Sequence, residues 1–282
     1  MKHIYLNLKR FDVPAALGGV NRIAKVKDWA SYIVSNTQEE LNQYDPEKVE
    51  FAMYFPEAHI LGALAAKHKG SIVKLGCQSV YREDVLVGGN FGAFTTNRPA
   101  AAMVEAGCET VIIGHCEERN DKAGILAEAG ITNTMAVNRI LNKEIKCAIA
   151  QGMTVLYCIG EKSEEQDHWM EVLSQQLEIG LQDVDTSKVV IAYEPIWSIG
   201  PGKTPADKDY ITKIARFVKG KTNGMDVVYG GGLKQENAAM LASIEEIDGG
   251  LIALTRFQGE IGFYPEEYLE IIRLYMNEGR KN

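Results

Sequence analysis

The stretch "KVVIAYEPIWSIGPGKTP", residues 188–205, carries information on both fold and chemistry. Its first half, "KVVIAYE", is apolar and β-branched on both faces, the pattern of a parallel strand buried inside an α/β protein. Glu194 therefore stands at a strand's C-terminal end. The loop behind it has stiff ends, Pro195 on one side and Thr204 and Pro205 on the other, around a pliable centre at Gly200 and Gly202, which is how a lid is built. Seven similar apolar runs accompany "VVIAYEP": "HIYLNL", "VEFAMYF", "SIVKLGCQ", "TVIIGH", "TVLYCIG", "DVVYGG" and "GGLIAL".

Between these strands the apolar residues recur at three- and four-residue steps, as at Trp169, Val172, Leu173 and Leu177, and predict helices over residues 28–44, 57–67, 99–106, 134–151, 164–181, 206–218, 235–242 and 265–276. Pro99 and Pro265 suit first turns, and Gly107, Gly152 and Gly180 lie near helix ends. No low-complexity linker divides the chain, so residues 1–282 read as one domain. Eight alternations fit a (β/α)8 barrel or an eight-stranded doubly wound sheet. The barrel is favoured because polar residues follow several different strands: Asn7 and Lys9, Gln78, His115, Cys158 and Glu161, Glu194, and the glycines 230–232. A doubly wound nucleotide binder would carry a glycine-rich turn after its first strand, and "LNLKRFDVP" has none.

Composition narrows the partners. A net charge of -8 and a pI near 5.3 oppose attraction to nucleic acid or an anionic membrane. "MKHIYLNLKRF" has no signal-peptide core, and no run reaches the roughly 18 apolar residues of a membrane span, so a cytoplasmic protein is expected. Five cysteines without CxxC or CxxH spacing read as reduced, mostly buried thiols. No metal is expected, since no HxH-like cluster ends a strand, and no cofactor is implied.

Three positions carry chemistry if they meet. His115, in "VIIGHCEERND", occupies a strand-to-helix junction, where the helix's positive end favours a neutral imidazole able to donate a hydrogen bond. Lys9, two residues after Asn7, would share its face of a strand and put a cation at the mouth. Glu194 supplies a carboxylate. "YGGGLKQENA" offers successive glycine N–H groups of the kind that hold phosphate. Singly, each has a plainer reading: a capping histidine, a surface lysine, a salt-bridge partner, a tight turn.

Together they resemble triosephosphate isomerase from end to end. "YEPIWSIGPGKT" is similar to that family's "YEPVWAIGTGKT" lid signature, and "GHCEERN" to its "GHSERR" segment. The resemblance implies a TIM barrel in which Glu194 is the catalytic base, His115 the electrophile, Lys9 a charge stabiliser, and Asn7 and Glu117 orienting groups, with Asn7 and Lys9 also binding the anionic substrate. It implies lid hinges at Pro195, Ile196, Trp197 and at Lys203, Thr204, and phosphate contacts at Gly200 in the lid, at Gly232, and at Ala253 and Leu254. The reaction implied is interconversion of dihydroxyacetone phosphate and glyceraldehyde 3-phosphate through an enediol, a glycolytic and gluconeogenic step. "GAFTTNRP" resembles the family's dimer loop, with Thr95 at its tip, which implies a homodimer.

The resemblance has gaps. Ala253 and Leu254 stand where the family has two glycines, Gly232 where it has a serine, and Asn97 and Glu118 where it has a glutamate and an arginine. Arg256 is a candidate replacement phosphate ligand. Residues 10–27 and 255–264 form longer loops than usual, both expected on the catalytic face, and the dimer-loop segment is extended too. An altered phosphate rim with retained chemistry suggests, as an alternative, isomerisation of a four-carbon ketose phosphate such as erythrulose phosphate. A non-catalytic sugar-phosphate binder is the third reading, and retention of Asn7, Lys9, His115 and Glu194 together opposes it.

Overall fold

The computed structural model describes residues 1–199 and 203–278. Eight parallel strands close into a barrel in chain order: β1 (Lys2–Asn7), β2 (Val49–Phe55), β3 (Val73–Gln78), β4 (Thr110–Ile113), β5 (Thr154–Ile159), β6 (Val189–Tyr193), β7 (Val227–Tyr229) and β8 (Gly249–Ile252). Closure is made by β1 against β8, with His3 opposite Gly249 and Leu6 opposite Ile252. The doubly wound alternative is thereby excluded. Helices α1 (Trp29–Ser35), α2 (Gln38–Leu41), α3 (Glu57–Ala66), α4 (Ala100–Glu105), α5 (Cys116–Glu128), α6 (Met135–Ala150), α7 (Trp169–Gly180), α8 (Lys208–Lys221), α9 (Ala238–Ala242) and α10 (Pro265–Glu278) follow the strands.

Strand alternation builds two cores. Side chains of Tyr5, Ala52, Tyr54, Ile112, Leu156, Cys158, Ala192, Val228 and Leu251 fill the barrel's interior. Their neighbours, among them Ile4, Leu6, Phe51, Met53, Val155 and Ile191, pack outward with the helices' apolar stripes. The strands are therefore apolar on both faces, which is why each was legible as a continuous run.

The helices depart from the periodic pattern where side chains compete with the backbone. The helix predicted over 28–44 breaks between α1 and α2, because Asn36 Nδ2 donates to the Tyr32 carbonyl (2.7 Å) and Thr37 Oγ1 to that of Ile33 (2.8 Å). The one predicted over 164–181 begins as a 3-10 helix, Ser163–His168, before α7. Gly180 does not end α7 by a left-handed turn; a Cβ there would lie 2.1 Å from the Tyr157 hydroxyl, so close packing requires it.

The two long loops meet each other. The segment after β1 is organised by Asp12, which accepts from Arg10 Nε and Nη2 (2.9 and 2.8 Å) and contacts the buried His59 of α3 at 3.0 Å. Burial pushes the Asp12 carboxyl up, but the bonds from Arg10 and His59 prevail and hold it at about 2. Arg22 of the same segment donates to the Ile261 carbonyl (2.9 Å), tying it to the loop after β8, where Arg256 and Gly262 form a short antiparallel bridge. In the loop between β3 and α4, Thr95 is exposed, as are Leu86, Val87 and Phe91.

Candidate active site at the C-terminal mouth

Two neighbours hold the turn after β4 from opposite sides. Gly114 has φ +80°, a conformation open to glycine, and swings the chain from strand into α5. Its N–H donates to Glu118 Oε2 (2.6 Å) and its carbonyl accepts from Arg119 Nε (2.8 Å). Arg119 is buried and spends its remaining donors on neutral groups: the Cys158 carbonyl (2.8 Å), Asn138 Oδ1 (2.8 Å) and the Tyr157 hydroxyl (3.0 Å). Glu118 accepts from Ser79 and from Lys122 (2.8 Å), and Lys122 also reaches Glu144 at 3.1 Å. The turn is thus clamped by a buried charged network that the sequence did not reveal.

His115 caps α5. The amide of Glu117 donates to its Nδ1 (3.3 Å), which leaves the ring proton on Nε2. Nε2 lies 3.1 Å from Glu194 Oε1. Glu194 follows β6 directly and is 2 % exposed; its other oxygen accepts the Cys116 amide at 2.9 Å. Burial raises its pKa above the usual carboxylate value, and the pull of His115, Lys9, the Cys116 amide and Arg119 offsets this only in part. Two glycines permit the arrangement: a Cβ on Gly160 would lie 1.9 Å from the Glu194 carbonyl oxygen, and one on Gly230 would lie 2.7 Å from Glu194 Cγ. Gly160 was not singled out from sequence, although "YCIGE" places it one residue beyond β5.

Lys9 arrives by a different route from the one its spacing suggested. β1 ends at Asn7, and Lys9 has φ +41°, so strand alternation does not aim its side chain. Its amide donates to Asn7 Oδ1 (3.1 Å), and Gln78 Nε2 donates to both Asn7 Oδ1 (3.3 Å) and the Lys9 carbonyl (3.1 Å). Held this way, Lys9 Nζ lies 3.4 Å from Glu117 Oε1, while Glu117 Oε2 is 3.5 Å from His115 Nδ1. Asn7, Lys9, His115, Glu117 and Glu194 therefore converge on one mouth from three strand ends.

Glu194 is continuous with a fastened loop. Glu161 Oε1 accepts from Trp197 Nε1 (2.7 Å), Tyr193 Oη (2.9 Å) and Tyr210 Oη (3.1 Å), and its carbonyl accepts the Ile196 amide (3.2 Å). The carboxyl is fully buried, and burial raises its pKa despite these donors. Gly200 lies outside the described residues.

Across the mouth, the glycine turn packs against Pro195, next to Glu194: a Cβ on Gly231 would lie 3.0 Å from Pro195 Cγ. Asn237 fixes this turn, accepting the Lys234 amide (2.8 Å) and donating to the Gly232 carbonyl (2.9 Å), and these bonds delay helix α9 to Ala238. Ala253 and Leu254 follow β8 half-buried. Arg256 is not free to serve as the substitute ligand: Nε (2.8 Å) and Nη2 both donate to Glu267 Oε1, and its guanidinium stacks 3.9 Å from the Tyr264 ring centre.

His115, Cys116 and Glu194 bring nitrogen, sulfur and oxygen donors within 4.8 Å of one another. Burial beside Glu194 pushes the Cys116 thiol up to about 12, which opposes the thiolate a metal needs. The cluster fits proton chemistry better than metal ligation.

A family model described as triosephosphate isomerase matches residues 23–273. A triosephosphate isomerase of Treponema denticola is 32% identical over 277 residues, covering 94% of this chain and 98% of its own length. One from Geobacter metallireducens is 39% identical over 174 residues, covering 57% of this chain and 64% of its own. The crystal structure of triosephosphate isomerase from Bartonella henselae has a TM-score of 0.70 at 23% identity, covering 98% of this chain and 99% of the other, a likeness of fold.

Proposed function

Because the chain belongs to the triosephosphate isomerase family, and is thereby a sugar-phosphate isomerase, we propose that it interconverts dihydroxyacetone phosphate and glyceraldehyde 3-phosphate. In this reading Glu194 removes a proton from the hydroxyl-bearing carbon beside the carbonyl. The C–H electron pair becomes the double bond of the enediol, and the carbonyl pair moves to oxygen. There the Nε2–H of His115 and the ammonium of Lys9 receive the developing charge. His115 gives its Nε2 proton to that oxygen and takes the proton of the neighbouring hydroxyl; Glu194 then delivers its proton to the adjacent carbon as the double-bond pair forms the new C–H bond and the deprotonated oxygen closes the new carbonyl. Asn7 and Glu117 orient Lys9 and His115.

The observation that carries the proposal is the contact of 3.1 Å between a buried carboxylate and a ring N–H whose tautomer is fixed by a helix-capping bond. A base with its pKa raised by burial is stronger than a free glutamate, which favours abstraction from carbon. The loop continuing from Glu194 is suited to shield the enediol from water, in which it would lose phosphate. A cytoplasmic location and a homodimer through the loop around Thr95 belong to the same proposal. The exposure of Leu86, Val87 and Phe91 on that loop supports an apolar partner surface.

Assay of purified protein with glyceraldehyde 3-phosphate and with four-carbon ketose phosphates tests the reading. Turnover of the triose near the diffusional ceiling of about 10^8–10^9 M⁻¹s⁻¹ is expected. Preference for a four-carbon substrate would overturn the triose assignment. An active monomer in sedimentation would overturn the dimer.

A further inference from the structure

The fully buried carboxyl of Glu161 does all of its hydrogen bonding through one oxygen. Oε1 collects the indole of Trp197 (2.7 Å) and the hydroxyls of Tyr193 (2.9 Å) and Tyr210 (3.1 Å), while Oε2 is buried with no partner among the described residues. Two of these donors flank Glu194 in the chain, Tyr193 just before it and Trp197 shortly after. Tyr210 is different. It stands on α8, beyond the loop in sequence, and reaches back to the segment from which Glu194 projects.

Tyr210 is rigidly mounted. Asp207 caps α8 by accepting the Tyr210 amide (2.8 Å), and the ammonium of Lys213 lies over the tyrosine ring, 5.1 Å from its centre. The ring meets that of Trp197 edge to face, with centres 5.4 Å apart and an interplanar angle of 87°. Burial and the nearby Glu161 push the pKa of the Tyr210 hydroxyl up, so it keeps the proton it donates. Tyr210 therefore holds Trp197 twice, directly through the rings and indirectly through the oxygen that both bond. From there the hold passes to Glu194, because the Ile196 amide is tied to the Glu161 carbonyl (3.2 Å) and the Glu194 amide to that of Ile159 (2.8 Å).

We propose that Tyr210 is a positioning residue for the isomerase reaction, holding Glu161 and Trp197 so that the Glu194 carboxylate keeps its place against His115. Acting through the backbone of the base, it sets the rate of proton transfer and leaves substrate binding alone. The effect on turnover rests on the sugar-phosphate isomerase reading; the effect on Trp197 does not.

Two variants separate the contacts. Tyr210→Phe keeps the ring and loses the donor, and Tyr210→Leu loses both. The kcat is expected to fall about threefold to tenfold in the first and about tenfold to a hundredfold in the second, with KM within about twofold. The independent measurement is acrylamide quenching of Trp197 in a Trp169→Phe background, where the other tryptophan, Trp29, is buried. Quenching should rise in Tyr210→Leu. Unchanged quenching in that folded variant would overturn the inference, as would an unchanged kcat in both variants or a loss confined to KM. A wild-type protein that isomerises no triose phosphate would refute the proposed reaction, and quenching would then decide by itself whether Tyr210 holds Trp197.

Discussion

The barrel pairs a histidine with a carboxylate at each of its two ends, and the pairs behave in opposite ways. At the N-terminal end, His3 Nε2 lies 2.8 Å from Asp226 and its Nδ1 lies 3.4 Å from Glu50, which also accepts from Tyr5 and Lys74. Burial pushes the Glu50 carboxyl up, but bonds from His3, Lys74 and Tyr5 outweigh it and hold the group at about 2. At the C-terminal end, Glu194 meets His115 with no lysine or arginine in direct contact among the described residues, and burial prevails. Satisfied charge at one end fastens strands together; a carboxylate left underpaid in counter-charge at the other is ready to take a proton.

The difference can be broken from either end. The largest effect is expected from His115→Gln, which should cut kcat/KM about 10^2- to 10^4-fold with little change in melting temperature, read by steady-state assay and thermal unfolding. Glu50→Gln should do the reverse. It leaves Lys74 and His3 short of a buried partner and is expected to cost about 2–4 kcal/mol in denaturant titrations, with kcat of the folded protein unchanged.

A smaller effect, of opposite sign, belongs to Glu144 behind the His115 turn. Burial and the neighbouring Glu118 push its carboxyl up to about 9. A folded-state pKa raised in this way gives stability that is complete below the ordinary value of 4.5 and is lost as pH rises toward about 9. Glu144→Gln should therefore stabilise the protein at pH 7 by about 1–3 kcal/mol, with the gain vanishing near pH 4.

The smallest effect is a slope. For His3, burial lowers the pKa, but the bonds to Glu50 and Asp226 reverse this and leave it raised. Its share of stability is present below its ordinary value of 6.5 and fades as pH climbs through the raised value. Melting temperature measured from neutral to alkaline pH should show that decline in the wild type and lose it in His3→Asn.

The two ends also differ in how plainly they are written in the sequence. The strands and the mouth were legible because each strand buries both faces and Asn7, Lys9, His115 and Glu194 all lie within two residues of strand ends, as Glu194 follows "VVIAY" and Asn7 ends "HIYLN". Lys9 reaches the mouth through a left-handed backbone and the bond from Gln78, not through the strand alternation its spacing suggests. The pairing of Arg256 with Glu267 could not be read from the sequence, because Glu267 lies on α10, across a loop whose folding spacing does not report. The clamp of Glu118, Lys122 and Glu144 was invisible for a related reason: charged residues on helices usually face solvent, and only the packing of α5 on α6 buries these. The base of the barrel shows the same limit, because His3, Glu50, Lys74 and Asp226 come from four strand starts that meet only on closure.

The central claim, that Glu194 exchanges a carbon-bound proton of the substrate, is tested most directly by running the reaction in deuterated water and following deuterium entry at the substrate carbon by NMR. Wild-type protein should incorporate solvent deuterium during turnover, and Glu194→Gln, which keeps the shape but cannot accept a proton, should slow incorporation by about four orders of magnitude or more while remaining folded. Deuterium entering at an undiminished rate in the Gln variant would show that another group is the base.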